Sequence, residues 1–162
     1  MKLYFKTMHT PVGRLYLVAS DCALHAVLWQ QEYERVFKSR DLIASEQHFI
    51  LQKAQGQLEQ YFLGQRQVFD LPIEMSGTEF QKKVWQALQS IAYGKTASYL
   101  EIATLIGNPK AVRAVGMANS RNLLSIIVPC HRVIGANGKM VGYAGGLDNK
   151  ITLLGLERKN TE

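Results

Sequence analysis

The stretch Ser98-Tyr-Leu-Glu-Ile-Ala-Thr-Leu-Ile-Gly-Asn-Pro-Lys-Ala-Val-Arg-Ala-Val-Gly-Met-Ala118 organises this chain. Ser98 followed three residues later by Glu101 is a capping box, and it opens a short helix over Tyr99–Ile106. Gly107 ends that helix, Asn108 caps the next, and Pro109 fits its first turn, which predicts a second helix over Pro109–Ala118. Two short helices joined by a short turn containing glycine form a helix-turn-helix signature. Lys110 and Arg113 stand near the start of the second helix, where a recognition helix meets DNA. Helical hairpins also occur in proteins that never touch DNA, so the rest of the chain must decide.

Upstream, Thr78 followed by Gln81 is another capping box, opening a helix that buries Phe80, Val84, Leu88 and Ile91. The stretch Asp70–Gly77 before it reads as a connector, which divides the chain into domains 1–76 and 77–162. Leu3–Lys6, Arg14–Ala19 and Leu24–Trp29 are short apolar runs separated by Thr10-Pro11-Val12-Gly13 and Ser20-Asp21, which predicts a three-stranded antiparallel meander. A helix follows from about Glu46 to Leu63, with Ser45 as its cap and Gly64 at its end. The fold class is therefore a small α/β N-terminal domain followed by a mainly helical C-terminal one.

Downstream, Ser125-Ile-Ile-Val-Pro-Cys130 reads as an apolar strand halted by Pro129. Asn137-Gly138 is a strong hairpin signal, and a hairpin after a helix-turn-helix resembles a wing. A last helix spans about Leu147–Arg158.

The 162 residues carry a formal net charge of +6, and its placement is informative. Residues 1–76 hold eight basic and eight acidic residues, so the whole excess lies in 77–162. A neutral half joined to a basic half points to a polyanionic partner, most simply nucleic acid. No apolar run reaches the ~18 residues of a membrane span, and the opening MKLYFKTMHT lacks a signal-peptide core. The two cysteines, Cys22 and Cys130, argue against a disulfide framework and for a reducing, cytoplasmic setting. His9, Cys22 and His25 match no metal-ligand spacing, so neither a metal nor a cofactor is expected.

Cys130 sits in Pro129-Cys130-His131-Arg132. A thiolate is the reactive form of cysteine, and an imidazole nearby favours it. In an extended strand the two side chains point to opposite faces, so a turn after Pro129 or a bridging water is needed to couple them. A buried, inert cysteine is the competing reading of the same residues.

Pro129-Cys130-His131-Arg132-Val133, with Tyr143-Ala144-Gly145-Gly146 thirteen residues beyond the cysteine, resembles the signature of the O6-alkylguanine-DNA alkyltransferase family. The similarity extends through Gly107–Gly116 and Asn119 upstream and to Lys150 and Glu157 downstream. It covers the 80 residues from Thr78 to Glu157. The resemblance implies a ribonuclease-H-like N-terminal domain, a winged-helix C-terminal domain, and a monomer that repairs DNA without a cofactor. Its partner would be double-stranded DNA carrying O6-alkylguanine, with O4-alkylthymine a second candidate substrate. Cys130 would accept the alkyl group in a single irreversible turnover. His131 would act as base through a water, oriented by Glu157, while Asn122 would hold the cysteine loop. Tyr99, Val133, Tyr143, Ala144, Gly145, Gly146 and Lys150 would shape the substrate pocket. Asn108, Lys110, Ala111, Val112, Arg113 and Arg121 would meet DNA in the minor groove, with Arg113 filling the place of a flipped-out base.

The chain departs from the pattern at Asn122-Leu123, where the family often has Asn-Pro, and at Ile151-Thr152, where many members carry an aromatic residue. Two other readings compete. A cysteine hydrolase would explain Cys130 and His131 but not the confined charge or the helix-turn-helix. A winged-helix regulator would explain those two features but not Cys130, His131 and Glu157.

Overall fold

The computed structural model describes residues 1–161. The chain forms two compact units, Met1–Met75 and Ser76–Glu162.

In the first unit, β1 (Tyr4–Thr10) and β2 (Gly13–Ala19) pair antiparallel from Tyr4↔Ala19 to Thr10↔Gly13. Gly13 closes the turn at φ +98, a left-handed backbone that glycine adopts without a Cβ clash. Thr10 braces the turn, its hydroxyl donating to the Gly13 carbonyl at 2.7 Å. β3 (Leu24–Leu28) pairs antiparallel with β2. Helix α1 (Gln30–Phe37) leads to β4 (Ile43–Ala44), which lies parallel to β1, so the sheet order is β3-β2-β1-β4. The expected three-stranded antiparallel meander is present as β1-β2-β3, and the parallel strand β4 at its edge makes the sheet mixed. Helix α2 (Phe49–Phe62) buries Ile50, Leu51, Ala54, Leu58 and Tyr61. Its cap is His48, whose ring accepts from the Ile50 N–H, rather than Ser45. The connector is anchored too, because Gln57 exchanges two hydrogen bonds with the Asp70 backbone at 2.8 and 2.9 Å.

The second unit begins with α3 (Glu79–Leu88), opened by the complete Thr78/Gln81 capping box. β5 (Ala97–Ser98) leads into α4 (Tyr99–Leu105), opened by the Ser98/Glu101 box. Gly107, at φ +82, ends it. Helix α5 is Val112–Ser120, starting three residues later than the sequence predicts. The Ala111 N–H bonds to the Asn108 carbonyl at 3.0 Å, so Asn108, Pro109 and Lys110 form a turn of their own instead of capping a helix. Trp85 Nε1 donates to the Ala118 carbonyl at 2.8 Å and pins α3 to α5.

The segment before the cysteine is not a strand. Ile126 takes φ +73, and the N–H groups of Ile127, Val128 and Cys130 bond to carbonyls two to four residues back. Its apolar side chains serve a coiled loop in the core, with Leu124, Ile126 and Val128 all buried. Beyond it, β6 (Val133–Ile134) pairs parallel with β5. Asn137 and Gly138 take the left-handed conformations that favour a tight turn, at φ +63 and +76. They close a 3-10 turn rather than a β-hairpin, because the flanking residues do not pair as strands. Helix α6 (Leu147–Lys159) buries Lys150, Leu153, Leu154 and Glu157. These recur at intervals of three and four, which makes one face of a helix. No helix among the described residues is long and apolar enough to cross a membrane.

Candidate active site

Cys130, His131 and Arg132 form one turn of 3-10 helix between Pro129 and β6. The turn frees the neighbouring side chains from the opposed faces of a strand. All three residues are buried, Cys130 at 4% exposure and His131 at 0%. Asn122 holds the preceding loop from both ends of its amide. Its Nδ2 donates to the Val128 carbonyl at 2.9 Å, and its Oδ1 accepts from the Leu124 N–H at 2.9 Å. Leu123, in place of a proline, leaves this clasp intact.

The imidazole Nε2 of His131 donates to Glu157 Oε2 at 2.6 Å. Because a carboxylate is the acceptor, the proton of the neutral ring belongs on Nε2. Nδ1 is buried and has no hydrogen-bond partner in the protein. Glu157, fully buried on α6, also accepts from Arg132 Nε at 2.8 Å, Arg132 Nη2 at 3.1 Å and the Gly94 N–H at 3.1 Å. The His131 pKa is held below its ordinary value: burial, the largest influence, lowers it, Glu157 raises it through its hydrogen bond and its charge, and Arg132 and Lys150 lower it again. The ring therefore rests neutral, with one nitrogen able to take a proton.

Two other groups feel Cys130. Tyr99, half-buried at the start of α4, has its phenol pKa raised by burial and then by the charge of Cys130. Gly116 of α5 faces this ring, since a Cβ there would sit 3.7 Å from Tyr99. Asn119, one turn further along α5, donates weakly to the Cys130 carbonyl at 3.5 Å. Lys150 is buried at 0% exposure, and burial lowers its pKa against the opposing pull of Cys130. Its ammonium donates to the carbonyls of Val133 at 2.6 Å and Val141 at 3.1 Å. Those bonds make Lys150 a tie between β6 and the following loop. In that loop Tyr143 and Gly145 are half-buried and Ala144 and Gly146 exposed. The loop is closed by Gly146 N–H to Tyr143 O at 2.9 Å and Asn149 Nδ2 to Gly145 O at 2.7 Å.

Around the second helix, Asn108, Lys110, Val112 and Arg113 are exposed and Ala111 half-exposed, consecutive along the turn and the start of α5. Arg121 is also exposed, but it caps the opposite end of α5. Sequence reasoning gave no role to Arg132, Gly94 or Asn119. Arg132 stood inside the quoted motif, but its partner lies 25 residues away. Nothing local marked Gly94. Among the described residues no group of three or more histidines, cysteines and carboxylates could hold a metal. His25 Nε2 instead meets Ser20 Oγ at 3.0 Å and Glu74 Oε2 at 3.2 Å.

Two family models match the chain. The 6-O-methylguanine DNA methyltransferase ribonuclease-like domain matches residues 3–75, and the DNA binding domain of the same name matches residues 79–159. A methylated-DNA–protein-cysteine methyltransferase of Methanosarcina acetivorans is 48% identical over 155 residues, covering 96% of this chain and 98% of its own. The constitutive enzyme of that name from Bacillus subtilis is 45% identical over 159 residues, covering 96% and 95%. The crystal structure of Mycobacterium tuberculosis OGT in complex with DNA superposes with a TM-score of 0.88 at 41% identity, covering 97% of this chain and 94% of that one.

Proposed function

We infer the reaction from the premise that this chain belongs to the 6-O-methylguanine DNA methyltransferase family and repairs DNA by moving a methyl group onto one of its own cysteines. Cys130 is the acceptor in this reading. The observation that carries it is the turn that buries Cys130 beside His131, with His131 Nε2 committed to Glu157 and Nδ1 without a protein partner.

The thiol proton passes to His131 Nδ1 through a water, and Glu157 fixes the ring and stabilises the imidazolium that results. The thiolate then attacks the alkyl carbon on O6 of guanine. The sulfur–carbon bond forms as the carbon–oxygen bond breaks, and guanine leaves with the bonding pair. Tyr99 donates a proton to the departing base and regains one from the imidazolium through solvent. One proton leaves the protein thiol and one ends on guanine, so the transfer consumes no cofactor. The thioether product has no hydrolysable bond, which makes the protein a single-turnover reagent.

A carbon inside stacked DNA cannot reach a buried thiol, so the base must leave the duplex. We assign Arg113 to the vacated position and the residues from Asn108 to Val112 to the minor-groove face, with Arg121 a phosphate contact at the far end of α5. The exposure of these side chains and the basic excess of residues 77–162 support this assignment. Val133 and the Tyr143–Gly146 loop shape the pocket, and Asn122 holds the cysteine loop. Residues 77–162 thus carry both DNA binding and chemistry, while residues 1–76 form a separate α/β domain. We take the protein to act as a monomer in the reducing cytoplasm, on O6-alkylguanine first and O4-alkylthymine second.

The test is incubation with a duplex containing one O6-methylguanine, followed by intact mass and peptide mapping. One methyl group per chain on Cys130 is expected. Repeated turnover, or methyl on Cys22, overturns the mechanism.

A further inference from the structure

We propose that Arg132 is a positioning residue for the transfer, holding Glu157 as a shared carboxylate so that His131 rests neutral with Nδ1 ready to accept a proton. The proposal rests on the reading of His131 as proton acceptor and says what makes that role possible.

A base that works through a neighbouring carboxylate has two opposed needs. It must be neutral before the reaction and must tolerate a charge during it. A lone carboxylate 2.6 Å from a buried imidazole would serve the second need too well, because an unbalanced charge so close in a poorly screened interior favours the protonated ring. Such a ring could take nothing from the thiol.

Arg132 removes that excess. Its Nε and Nη2 donate to the two different oxygens of Glu157, at 2.8 and 3.1 Å, in the planar fork that guanidinium and carboxylate share. The Oε2 atom is thereby divided between Arg132 and His131, while Oε1 also takes the Gly94 N–H. The arginine–glutamate pair is neutral as a unit, and the imidazole faces a dipole instead of an unbalanced charge. The remaining charged groups act in the same sense. Lys150 of α6 repels a second cation on the ring, and the charged residues of α3, Glu79, Lys82 and Lys83, are all exposed to solvent.

Arg132 is itself held firmly. Its third donor, Nη1, reaches the Ile91 carbonyl at 2.6 Å, and the guanidinium lies 5.7 Å from the centre of the Tyr93 ring. In a basic, DNA-binding unit an arginine would ordinarily be spent on phosphate, yet this one is 6% exposed and turned inward. Gly94 completes the cradle at φ +78, where a Cβ would fall 2.7 Å from Thr161.

The test is an imidazole nitrogen titration of His131 by NMR in the full chain without DNA. In the unaltered protein Nε2 is protonated and Nδ1 bare at pH 7. Arg132→Gln should raise the midpoint by at least one unit, above the ~6.5 of a free imidazole, so that both nitrogens carry protons at pH 7. The double variant Arg132→Gln/Glu157→Gln removes the carboxylate charge and should return the ring to neutrality. Should Arg132→Gln not fold, Arg132→Lys decides. A neutral ring there, with imidazolium absent at pH 7, supports a role for the charge, and an imidazolium ring overturns it. A midpoint that stays low in Arg132→Gln, or merely drifts to the free value with loss of the Glu157 contact, also overturns the proposal. Single-turnover transfer from a free O6-alkylguanine base, compared with His131→Ala, reads the acceptor role separately, so either idea can fail alone.

Discussion

The two units bury polar side chains in different ways. Among the described residues, the first unit buries Lys6, Ser20, Glu32 and Gln57, scattered over sheet and helices. The second buries Asn119, Asn122, Ser125, His131, Arg132, Lys150 and Glu157, all within one stretch around Cys130. In the first unit these groups brace turns and connectors: Ser20 closes the β2–β3 turn and Gln57 ties down Asp70. In the second all but Ser125, whose hydroxyl has no hydrogen-bond partner, bond to one another or to the backbone around the thiol. Buried charge costs several kcal/mol of desolvation unless it is fully paired, so so dense a cluster is hard to explain by stability alone. In the proposed reading this is the unit that carries the chemistry.

The sharpest way to break this comparison is to exchange the roles of the two cysteines. Cys130 is buried and Cys22 exposed. Exposure alone would make Cys22 the more reactive. Cys130→Ser should abolish methyl uptake from O6-methylguanine DNA, and Cys22→Ser should leave it unchanged, both read by intact mass. Residual uptake in Cys130→Ser would mean that the buried cluster serves something else.

The next effect concerns the cluster itself. Glu157→Gln removes the carboxylate from Arg132 and His131 together and leaves a buried arginine unpaired, which should destabilise the second unit by about 3–5 kcal/mol in urea unfolding. Transfer in Glu157→Gln and in His131→Ala should slow strongly at pH 7 and less at pH 9, where hydroxide ionises the thiol without help. The double variant should be little worse than either single one. Additive losses would show independent roles. The unaltered protein offers a further check. His131 is held below its ordinary pKa, so as pH falls through about 6.5 the unfolded chain takes a proton that the folded one refuses. Stability of the second unit should therefore decline as pH falls below ~6.5 and be flat above it, unlike that of His131→Ala.

How far the sequence reveals this arrangement depends on how local each cause is. The starts of α3 and α4 were legible because a capping box is complete within four residues, and Gly107 ends α4 by its own backbone freedom. Helix α1 was not legible, since its apolar stripe of Tyr33, Val36 and Phe37 spans little more than one turn and only Glu32 and Phe37 of its eight residues are buried. The run Ser125–Pro129 misled for the opposite reason. Its apolar residues satisfy a strand pattern, but they are buried by a loop that reverses at Ile126 under the clasp of Asn122. Cys130, His131 and Glu157 came as a set from resemblance to a known motif. The fork of Arg132 onto Glu157 and the inward reach of Lys150 did not, because each joins residues 17 or more apart through the packing of α6.

Arg113 tests the exposed side of the same unit. Flipping a base costs a few kcal/mol, and an inserted guanidinium offsets part of it. Losing about 2 kcal/mol of that support in Arg113→Ala should slow repair of duplex DNA some thirtyfold. Reaction with a free O6-alkylguanine base needs no extrusion and should stay near normal. Equal slowing on both substrates would make Arg113 part of the fold and not of the DNA interface.

The smallest effect probes the first unit, where a buried charge lacks the support seen around Glu157. Glu32 is 7% exposed, and its Oε1 has no hydrogen-bond partner. Burial raises its pKa above the ordinary carboxylate value, against the opposing effects of Arg35 and of the Trp29 N–H that one carboxylate oxygen accepts at the start of α1. Glu32→Gln keeps an acceptor for that N–H and removes the charge. It should stabilise the first unit by about 1 kcal/mol at pH 7. The sign of the pH dependence follows from the raised pKa. As pH falls toward the unfolded value near 4.5, the folded state takes its proton first, and the unaltered protein recovers what the charge had cost. The advantage of Glu32→Gln should therefore shrink from pH 7 downward and be gone by about pH 4. A pH-independent gain would mean that the glutamine acts through packing. A loss would mean that Glu32, like Glu157, has a charged partner on which the unit depends, and the contrast between the two units would fail at that residue.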